Sequence, residues 1–295
     1  MRVGLVLGAG GVVGHAWHAG VLEALQEGRG WDARSAEVVV GTSAGSVVGA
    51  LLRGGRGAAS LYGSRGSGAR SAPEVADRSI TFSPQLVGRA LATARPGLLA
   101  GMLPRGTVPT DGIGAHVRSV VGDAWPSAAL WINAVRLRDG VRVTFGREGA
   151  PAATPAEAVR ASCAIPGFFE PVSIGGVEYV DGGIHSPTNA DLLKGSGVDL
   201  VVVSSPMSVD RSALRRPSPM HALRVLHRTS LQREVVALKR SGVEVVTLQP
   251  GPDDLPVMGG TASAMDPARR EAVARRARET TLRRLDAGLL DVLSP

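Results

Sequence analysis

The sequence predicts a three-layer α/β/α protein, in which helices cover both faces of a mainly parallel central sheet. The segments "RVGLVL" at 2–7 and "AEVVV" at 36–40 are short and almost continuously apolar, which is typical of strands buried on both faces. A segment with the apolar spacing of a helix follows each of them, the first with apolar positions over 16–25 and an end at Gly28, the second beginning with "SAGSVVGALL" at 43–52. This alternation requires crossover connections, which give parallel strands and helices on both faces.

The rest of the chain continues this pattern. In order, we predict a helix over 111–121, a hairpin over 130–146 that turns at Asp139-Gly140, a helix over 154–165 with Thr154 as its cap and Pro155 at its first position, a strand that runs into the loop "VDGG", a strand over 198–205, a helix over 211–241, a strand over 243–250 and an Arg-rich helix over most of 267–290. Since the 295 residues contain no internal repeat and no clear linker, we expect one domain over 1–295.

Two segments interrupt the regular pattern. Residues 53–72 are rich in Gly, Arg and Ser without a period, which predicts a mobile surface loop. Residues 83–104 predict a helical cap that ends in the apolar run "GLLAGML". This cap either buries its apolar face on the sheet or forms a lid that touches lipid, with the arginines of 53–70 attracted to anionic head groups.

Composition excludes several classes of protein. Hydrophobic residues make up 44% and charged residues 20%, which is typical of a packed protein and not of a disordered one. The net charge of +7 comes almost entirely from scattered arginines, and the basic helices lack interleaved aromatic residues, so we expect no nucleic-acid partner.

The single cysteine, Cys163, excludes an intrachain disulfide and favours a reducing compartment. The N-terminal segment has no signal-peptide pattern, and no window holds the ~18 apolar residues of a membrane span. We therefore expect a cytoplasmic protein, and peripheral contact with an anionic membrane stays open.

The first candidate site is a cluster of glycines between the first strand and the first helix, formed by Gly8, Gly10, Gly11 and Gly14. Amides at such a helix start can bind the pyrophosphate of a dinucleotide or an oxyanion. A dinucleotide site expects an acidic residue at the end of the second strand. Asp32 and Glu37 lie before or at the start of that strand, which disfavours the dinucleotide.

The second candidate site is the serine at the end of the second strand. Gly41, Ser43 and Gly45 form Gly-x-Ser-x-Gly between a strand and a helix, as a nucleophile elbow requires. The alternative is that Ser43 only caps the helix. The elbow is favoured because the glycine turn ends the neighbouring strand, so both turns meet at the carboxyl edge of the sheet.

A nucleophilic serine needs a base. None of the histidines lies in the sequence context typical of a triad base, and His185, four residues past Asp181, comes nearest to it. Asp181 follows a short strand and precedes Gly182 and Gly183, so its carboxylate can project from a tight loop, although an Asx-type turn would use the same residues. His15 and His18 have no carboxylate or Cys partner, so we expect no metal.

Taken together, the glycine turn, "GTSAG" at 41–45, "ASCAIPGFFEPVSIGGVEYVDGG" at 161–183 and the following "PTN" resemble the patatin-like phospholipase family over roughly 2–205. The resemblance implies an acyl hydrolase with a Ser–Asp dyad that cleaves ester bonds of lipids without a metal or organic cofactor. It implies Ser43 as the nucleophile, Asp181 as its base, and Gly10 and Gly11 as the oxyanion hole. The other glycines of the motifs are Gly8, Gly14, Gly41, Gly45, Gly182 and Gly183.

The sequence departs from the family pattern at two positions, and these departures leave open an alternative to the enzyme. The alternative is a catalytically weak family member that binds lipid or regulates another protein. Ala9 replaces a glycine, and Val13 takes the position of a basic residue. A free aspartate, with a pKa of ~3.9, is also a weak acceptor for the serine proton. We therefore expect Asp181 to be buried among apolar neighbours such as Val177, Val180 and Ile184, because burial raises the pKa of a carboxyl group.

Overall fold

A computed structural model describes residues 1–61, 105–215 and 222–293. The strands are β1 Val3–Leu7, β2 Val38–Thr42, β3 Ala129–Arg136, β4 Arg142–Phe145, β5 Val172–Ile174, β6 Val177–Asp181, β7 Leu200–Ser204 and β8 Glu244–Leu248. The α-helices of these residues are α1 Gly11–Arg29, α2 Ala44–Arg53, α3 Asp111–Val121, α4 Pro155–Ser162, α5 Ala222–Arg240, α6 Leu255–Met258 and α7 Arg270–Asp286.

The described strands form one mixed sheet of eight strands in the order β5-β6-β3-β2-β1-β7-β8, with β4 paired to β3. The five strands from β3 to β8 in that order are parallel, whereas β4, β6 and β5 pair antiparallel. The predicted fold class, a mainly parallel sheet with helices on both faces, is confirmed.

The two-sided core explains why nearly every residue of the central strands is apolar. In β1, Leu5 and Leu7 face the side covered by α1, α2, α4 and α7, while Val6 faces the side covered by α5. Successive side chains of a strand point to opposite faces, so both faces must be apolar when both are covered. This packing places the ends of β1 and β2 next to each other.

Several predicted elements are confirmed and others need correction. The helix α3 and the hairpin β3–β4 occur as predicted, and Thr154 caps α4 through a reciprocal pair of hydrogen bonds with Glu157. The strand expected before the "VDGG" loop is confirmed as β6, and the structure adds β5, which forms a hairpin with it that turns at Gly175 and Gly176.

The helix predicted over 211–241 was wrong at its start. Arg211–Arg215 form a 3₁₀ turn and α5 begins at Ala222. Pro217 and Pro219 lie between them in the sequence, and proline supplies no amide to a helix. The predicted Arg-rich helix is confirmed, since α7 fills most of the range 267–290 and ends at Asp286 before Gly288, which has a φ of 90°.

Of the predicted loop over 53–72, the described part ends with the 3₁₀ turn Ala58–Ser60, and the remainder lies outside the described residues, as does the whole predicted cap over 83–104. Among the helices that are described, none combines the length and the apolar composition that a membrane span needs.

Candidate active site

Ser43 lies in a strained turn between β2 and α2. Its φ of 53° and ψ of −121° are in a region that residues other than glycine rarely adopt, at a cost of about 1–3 kcal/mol. The turn is closed by close approach of backbone. A Cβ on Gly45 would lie 1.9 Å from the carbonyl oxygen of Leu7, and one on Gly41 would lie 2.6 Å from the Cα of Ser46. Larger residues at these two positions would push α2 away from the sheet.

Two serines hold the strained backbone of Ser43 in place. The Ser43 amide donates a 2.9 Å hydrogen bond to Oγ of Ser162, the last residue of α4. The Ser43 carbonyl accepts bonds from the amide and the hydroxyl of Ser46, at 2.8 and 2.6 Å. Sequence reasoning did not assign these roles, although Ser162 lies inside the segment that carries the family resemblance.

The glycine turn lies beside this elbow, because β1 and β2 are paired with Leu7 opposite Gly41. Gly10 and Gly11 stand at the start of α1, and among the described residues neither amide donates a hydrogen bond to another residue. Gly11 has a φ of 61°, and a Cβ there would lie 2.7 Å from the carbonyl oxygen of Ala264. The two amides are therefore available to an oxygen ligand at the positive end of a helix dipole.

His18 braces the glycine turn from inside the protein. Its Nε2 lies 2.8 Å from the Gly8 carbonyl oxygen, and its Nδ1 lies 2.8 Å from Oγ of Ser204 at the end of β7. Because a carbonyl only accepts, Nε2 carries the proton and Nδ1 accepts from the serine hydroxyl. Burial lowers the pKa of His18 to about 3, so the ring is neutral and serves as a fixed connection between two strands' ends.

The structure shows how the two residues that depart from the family pattern, Ala9 and Val13, fit into the protein. Ala9 is absent from the described residues with positive φ, so alanine fits there without backbone strain. Val13 is buried in the main core with 2% of its surface exposed. A cation at position 13 would point into that core.

Asp181 ends β6 and is 5% exposed. Its Oδ1 accepts a 2.7 Å bond from the Gly183 amide, and its own amide donates to the Ala164 carbonyl. Burial raises the pKa of the Asp181 carboxyl from 3.8 to about 6, while the nearby Ser43 hydroxyl and the hydrogen-bonded Gly183 amide lower it. Desolvation therefore outweighs hydrogen bonding at this carboxylate.

The expected neighbours of Asp181 need one correction. Val180 and Ile184 pack with Val135 and Leu137 in a separate small cluster. This follows from strand alternation, which turns Val180 away from the face that carries Asp181. The end of α4 lies against the carboxylate instead, and the buried Cys163 thiol there has its pKa raised by burial and by the Asp181 charge.

None of the histidines in the described ranges is hydrogen-bonded to Ser43. A ring nitrogen of His15 lies 3.1 Å from the Leu61 carbonyl oxygen, and one of His227 lies 3.2 Å from the Met207 carbonyl oxygen. Burial lowers the pKa of both histidines to about 4, so both rings are neutral near pH 7. His185 is exposed, and the charges acting on it are those of Arg142 and Asp191.

The structure brings Ser43, Asp181 and the glycine turn to one edge of the sheet. Gly45 contacts the end of β1, as described above, and a Cβ on Gly183 would lie 3.4 Å from the Cβ of Ala9. The protein is thus an α/β/α protein in which a buried serine and a buried aspartate lie beside two helix-start amides that no acceptor of the described residues binds.

Comparison with known proteins gives the family. Residues 5–194, well over half of the chain, match the Patatin-like phospholipase family. The chain belongs to the patatin-like phospholipase family. Curated relatives are uncharacterized NTE family proteins of Mycobacterium bovis and Mycobacterium tuberculosis, each 29% identical over 204 residues, which cover 69% of this chain and 49% of the relative. The chain thus spans about half the length of the curated relatives it matches.

Two solved structures have backbones similar to that of this chain. VipD from Legionella pneumophila is 16% identical with a TM-score of 0.47, covering 97% of this chain and 67% of VipD. The type III effector protein ExoU is 19% identical with a TM-score of 0.43, covering 98% of this chain and 54% of ExoU. Neither similarity carries a functional inference for this chain.

Proposed function

We propose that this protein is a serine acyl hydrolase that cleaves carboxylic ester bonds of lipids. The observation that carries the proposal is the buried Ser43–Asp181 pair, in which the serine occupies a strained elbow and burial raises the pKa of the aspartate to about 6. A base with a pKa close to the working pH is the best compromise between ionisation and proton affinity. Membership of the patatin-like phospholipase family supports a lipid substrate.

In the first half of the proposed reaction, Ser43 Oγ forms a bond to the ester carbonyl carbon while its proton passes to the Asp181 carboxylate. The carbonyl oxygen becomes negative and is bound by the amides of Gly10 and Gly11, and one such donor contributes about 3 kcal/mol in the transition state. The bond from carbon to the alcohol oxygen then breaks, and the proton moves from Asp181 to the leaving alcohol. An acyl-Ser43 intermediate remains.

In the second half, water attacks the acyl carbon and Asp181 accepts a proton from it. The same two amides bind the new oxyanion, the bond to Ser43 Oγ breaks, and Asp181 returns the proton to the serine. No step requires a metal or an organic cofactor, and none of the histidines takes part.

The competing proposal is a catalytically weak family member that binds lipid or regulates another protein. It draws on Val13, since the basic residue of the family pattern is missing here and position 13 is buried. This alternative predicts that the site binds acyl chains but does not form a covalent intermediate.

A fluorophosphonate probe distinguishes the two, because it reacts only with an activated serine. We expect labelling of the wild-type protein at Ser43 and none in Ser43→Ala. Hydrolysis of a panel of phospholipids, lysophospholipids and simple esters then tests the substrate class. An unlabelled wild-type protein that still binds lipid vesicles would support the weak member instead.

The choice of base is tested separately with matched variants. We expect Asp181→Asn to lower kcat by about 100- to 10,000-fold, the usual contribution of a general base, and His185→Ala to leave it unchanged. The reverse result, with activity kept in Asp181→Asn and lost in His185→Ala, would contradict the dyad.

A further inference from the structure

A carboxylate far along the chain contacts the loop that follows Asp181. Glu234 lies in α5, outside the residues that match the family, and is 8% exposed. It accepts hydrogen bonds from the Ser186 hydroxyl, from Oγ1 of Thr188 at 2.6 Å and from the amide of Ala190 at 2.8 Å. Three donors on one carboxylate fix residues 186–190, called here the 186–190 loop.

This loop contacts the neighbour of each site residue. The Pro187 carbonyl accepts a 2.8 Å bond from the amide of Ala9, which precedes Gly10. The Asn189 side chain donates a 3.1 Å bond to Oγ1 of Thr42, which precedes Ser43.

The same loop is also tied to the residue after Asp181, since the Ser186 amide donates a 3.3 Å bond to the Gly182 carbonyl. Asn189 itself has a φ of 53°, and its side-chain oxygen accepts a bond from Arg142. A shift of the 186–190 loop would therefore move the glycine turn, the elbow and the aspartate relative to one another.

The carboxylate cannot be replaced by an amide without loss. Oγ of Ser186 already accepts bonds from the amides of Thr188 and Asn189, at 3.2 and 3.1 Å, so its own proton points to Glu234. The second carboxylate oxygen faces a hydroxyl and an amide, which both donate. A glutamine would place its NH₂ group against at least one donor in either orientation.

We propose that Glu234 is a positioning residue, which holds the 186–190 loop so that the oxyanion amides, Ser43 and Asp181 meet in reactive geometry. This inference rests on the hydrolase function proposed above. Glu234 does not touch the substrate, so its role is to set distances between groups that react, where a misplacement of about 1 Å costs about 100-fold in rate.

The test compares Glu234→Gln with Asp254→Asn. Asp254 is also a buried carboxylate with donors from a backbone amide and a hydroxyl, those of Gly251 and Thr280, but within the described ranges it accepts no hydrogen bond from the 186–190 loop. We expect both variants to lose thermal stability. Only Glu234→Gln should lower kcat, by about 10- to 100-fold with KM changed less than about threefold, and slow the labelling of Ser43 by the fluorophosphonate.

The pH profile separates position from charge. Glu234 is not among the groups that shift the pKa of Asp181. Glu234→Gln should therefore lower the plateau of kcat/KM without moving its acidic limb. Thr188→Val, which keeps the side-chain shape and removes one donor, should change kcat in the same direction by a smaller factor.

Three outcomes would overturn the proposal: unchanged kcat and labelling in a folded Glu234→Gln protein, an equal loss of kcat in Asp254→Asn, or a shifted acidic limb at an unchanged plateau. If Glu234→Gln does not fold, wild-type kcat in Thr188→Val overturns it. Failure of the hydrolase function itself gives a different result, since wild-type protein would then neither react with the probe nor hydrolyse any ester.

Discussion

The parallel and antiparallel parts of the sheet contribute to the site in different ways. The parallel strands β1 and β2 supply the glycine turn and Ser43, and both features depend on backbone geometry. Glycines stand where a Cβ would overlap a carbonyl, and Ser43 has a φ of 53°. The antiparallel strand β6 supplies Asp181, whose important property is the raised pKa that burial produces.

The difference shows that one half of the site depends on steric fit and the other on solvation. Steric fit fails abruptly, since an added methyl group cannot be accommodated without moving the backbone. The effect of burial is gradual, because the ionised fraction of the carboxylate varies smoothly with pH and its pKa depends on how well neighbouring groups exclude water. The following predictions examine one half of the site at a time.

The largest effect is expected for Gly45→Ala in the parallel part. The new Cβ would lie 1.9 Å from the Leu7 carbonyl oxygen, so α2 must move and Ser43 with it. We expect loss of measurable esterase activity and of fluorophosphonate labelling, together with a lower melting temperature.

Gly112→Ala in α3 is the matched control, because no heavy atom lies within 4 Å of the Cβ that would be added there. That variant should gain about 0.5–1 kcal/mol of stability, and near-normal activity of Gly45→Ala would refute the steric account.

In the antiparallel part, the raised pKa of Asp181 should be measurable as a stability difference. The folded protein binds this proton more tightly than the unfolded chain, so wild-type stability falls as the pH rises from 3.8 to about 6. A rise of about two pH units corresponds to about 3 kcal/mol. Asp181→Asn does not titrate there, so its stability relative to wild type should increase by that amount over this range in urea denaturation. A difference independent of pH would mean that burial does not dominate at Asp181.

The same carboxylate should define the acidic limb of kcat/KM. Only ionised Asp181 can accept the serine proton, so the rate should fall about tenfold for each pH unit below about 6. His185→Ala is the control and should leave this limb in place. A limb that disappears in the control would assign it to the histidine.

The smallest effect is expected where the two parts of the molecule meet, at the bond from the Ser43 amide to Ser162. Ser162→Ala leaves a buried amide without its acceptor, which costs about 1–3 kcal/mol. We expect a loss of stability in that range and a decrease in kcat of about tenfold, both smaller than for Gly45→Ala. Wild-type kcat in Ser162→Ala would show that the helix alone holds the elbow.

Much of the fold was predictable from the sequence because local chemistry and tertiary packing agree there. Continuous apolar runs gave β1, β2 and β7, and an Asp-Gly turn gave the hairpin β3–β4. The prediction failed where short elements depend on a distant partner. β5 has three residues and, among the described strands, pairs with β6 alone, and the helix predicted over 211–241 begins at Ala222, after Pro217 and Pro219.

The candidate site was predictable in part. Ser43, Gly10 and Gly11 lie in turns whose residue types follow from local backbone requirements, so a reader of the sequence can find them. Ser162 and Glu234 cannot be found in this way, because serine and glutamate are common in helices and only their contacts distinguish them.

By itself, the sequence determined which residues could form a nucleophile elbow and a turn of free amides, since glycine and serine at these spacings act within a few residues. Only the tertiary structure decided that Asp181 is buried near Ser43, that His185 is exposed, and that Glu234 accepts three hydrogen bonds from the 186–190 loop. The physical reason is that the pKa of a carboxylate and the position of a loop depend on groups far apart in the chain, such as Thr42 and Asn189, which are 147 residues apart and which the fold alone brings together.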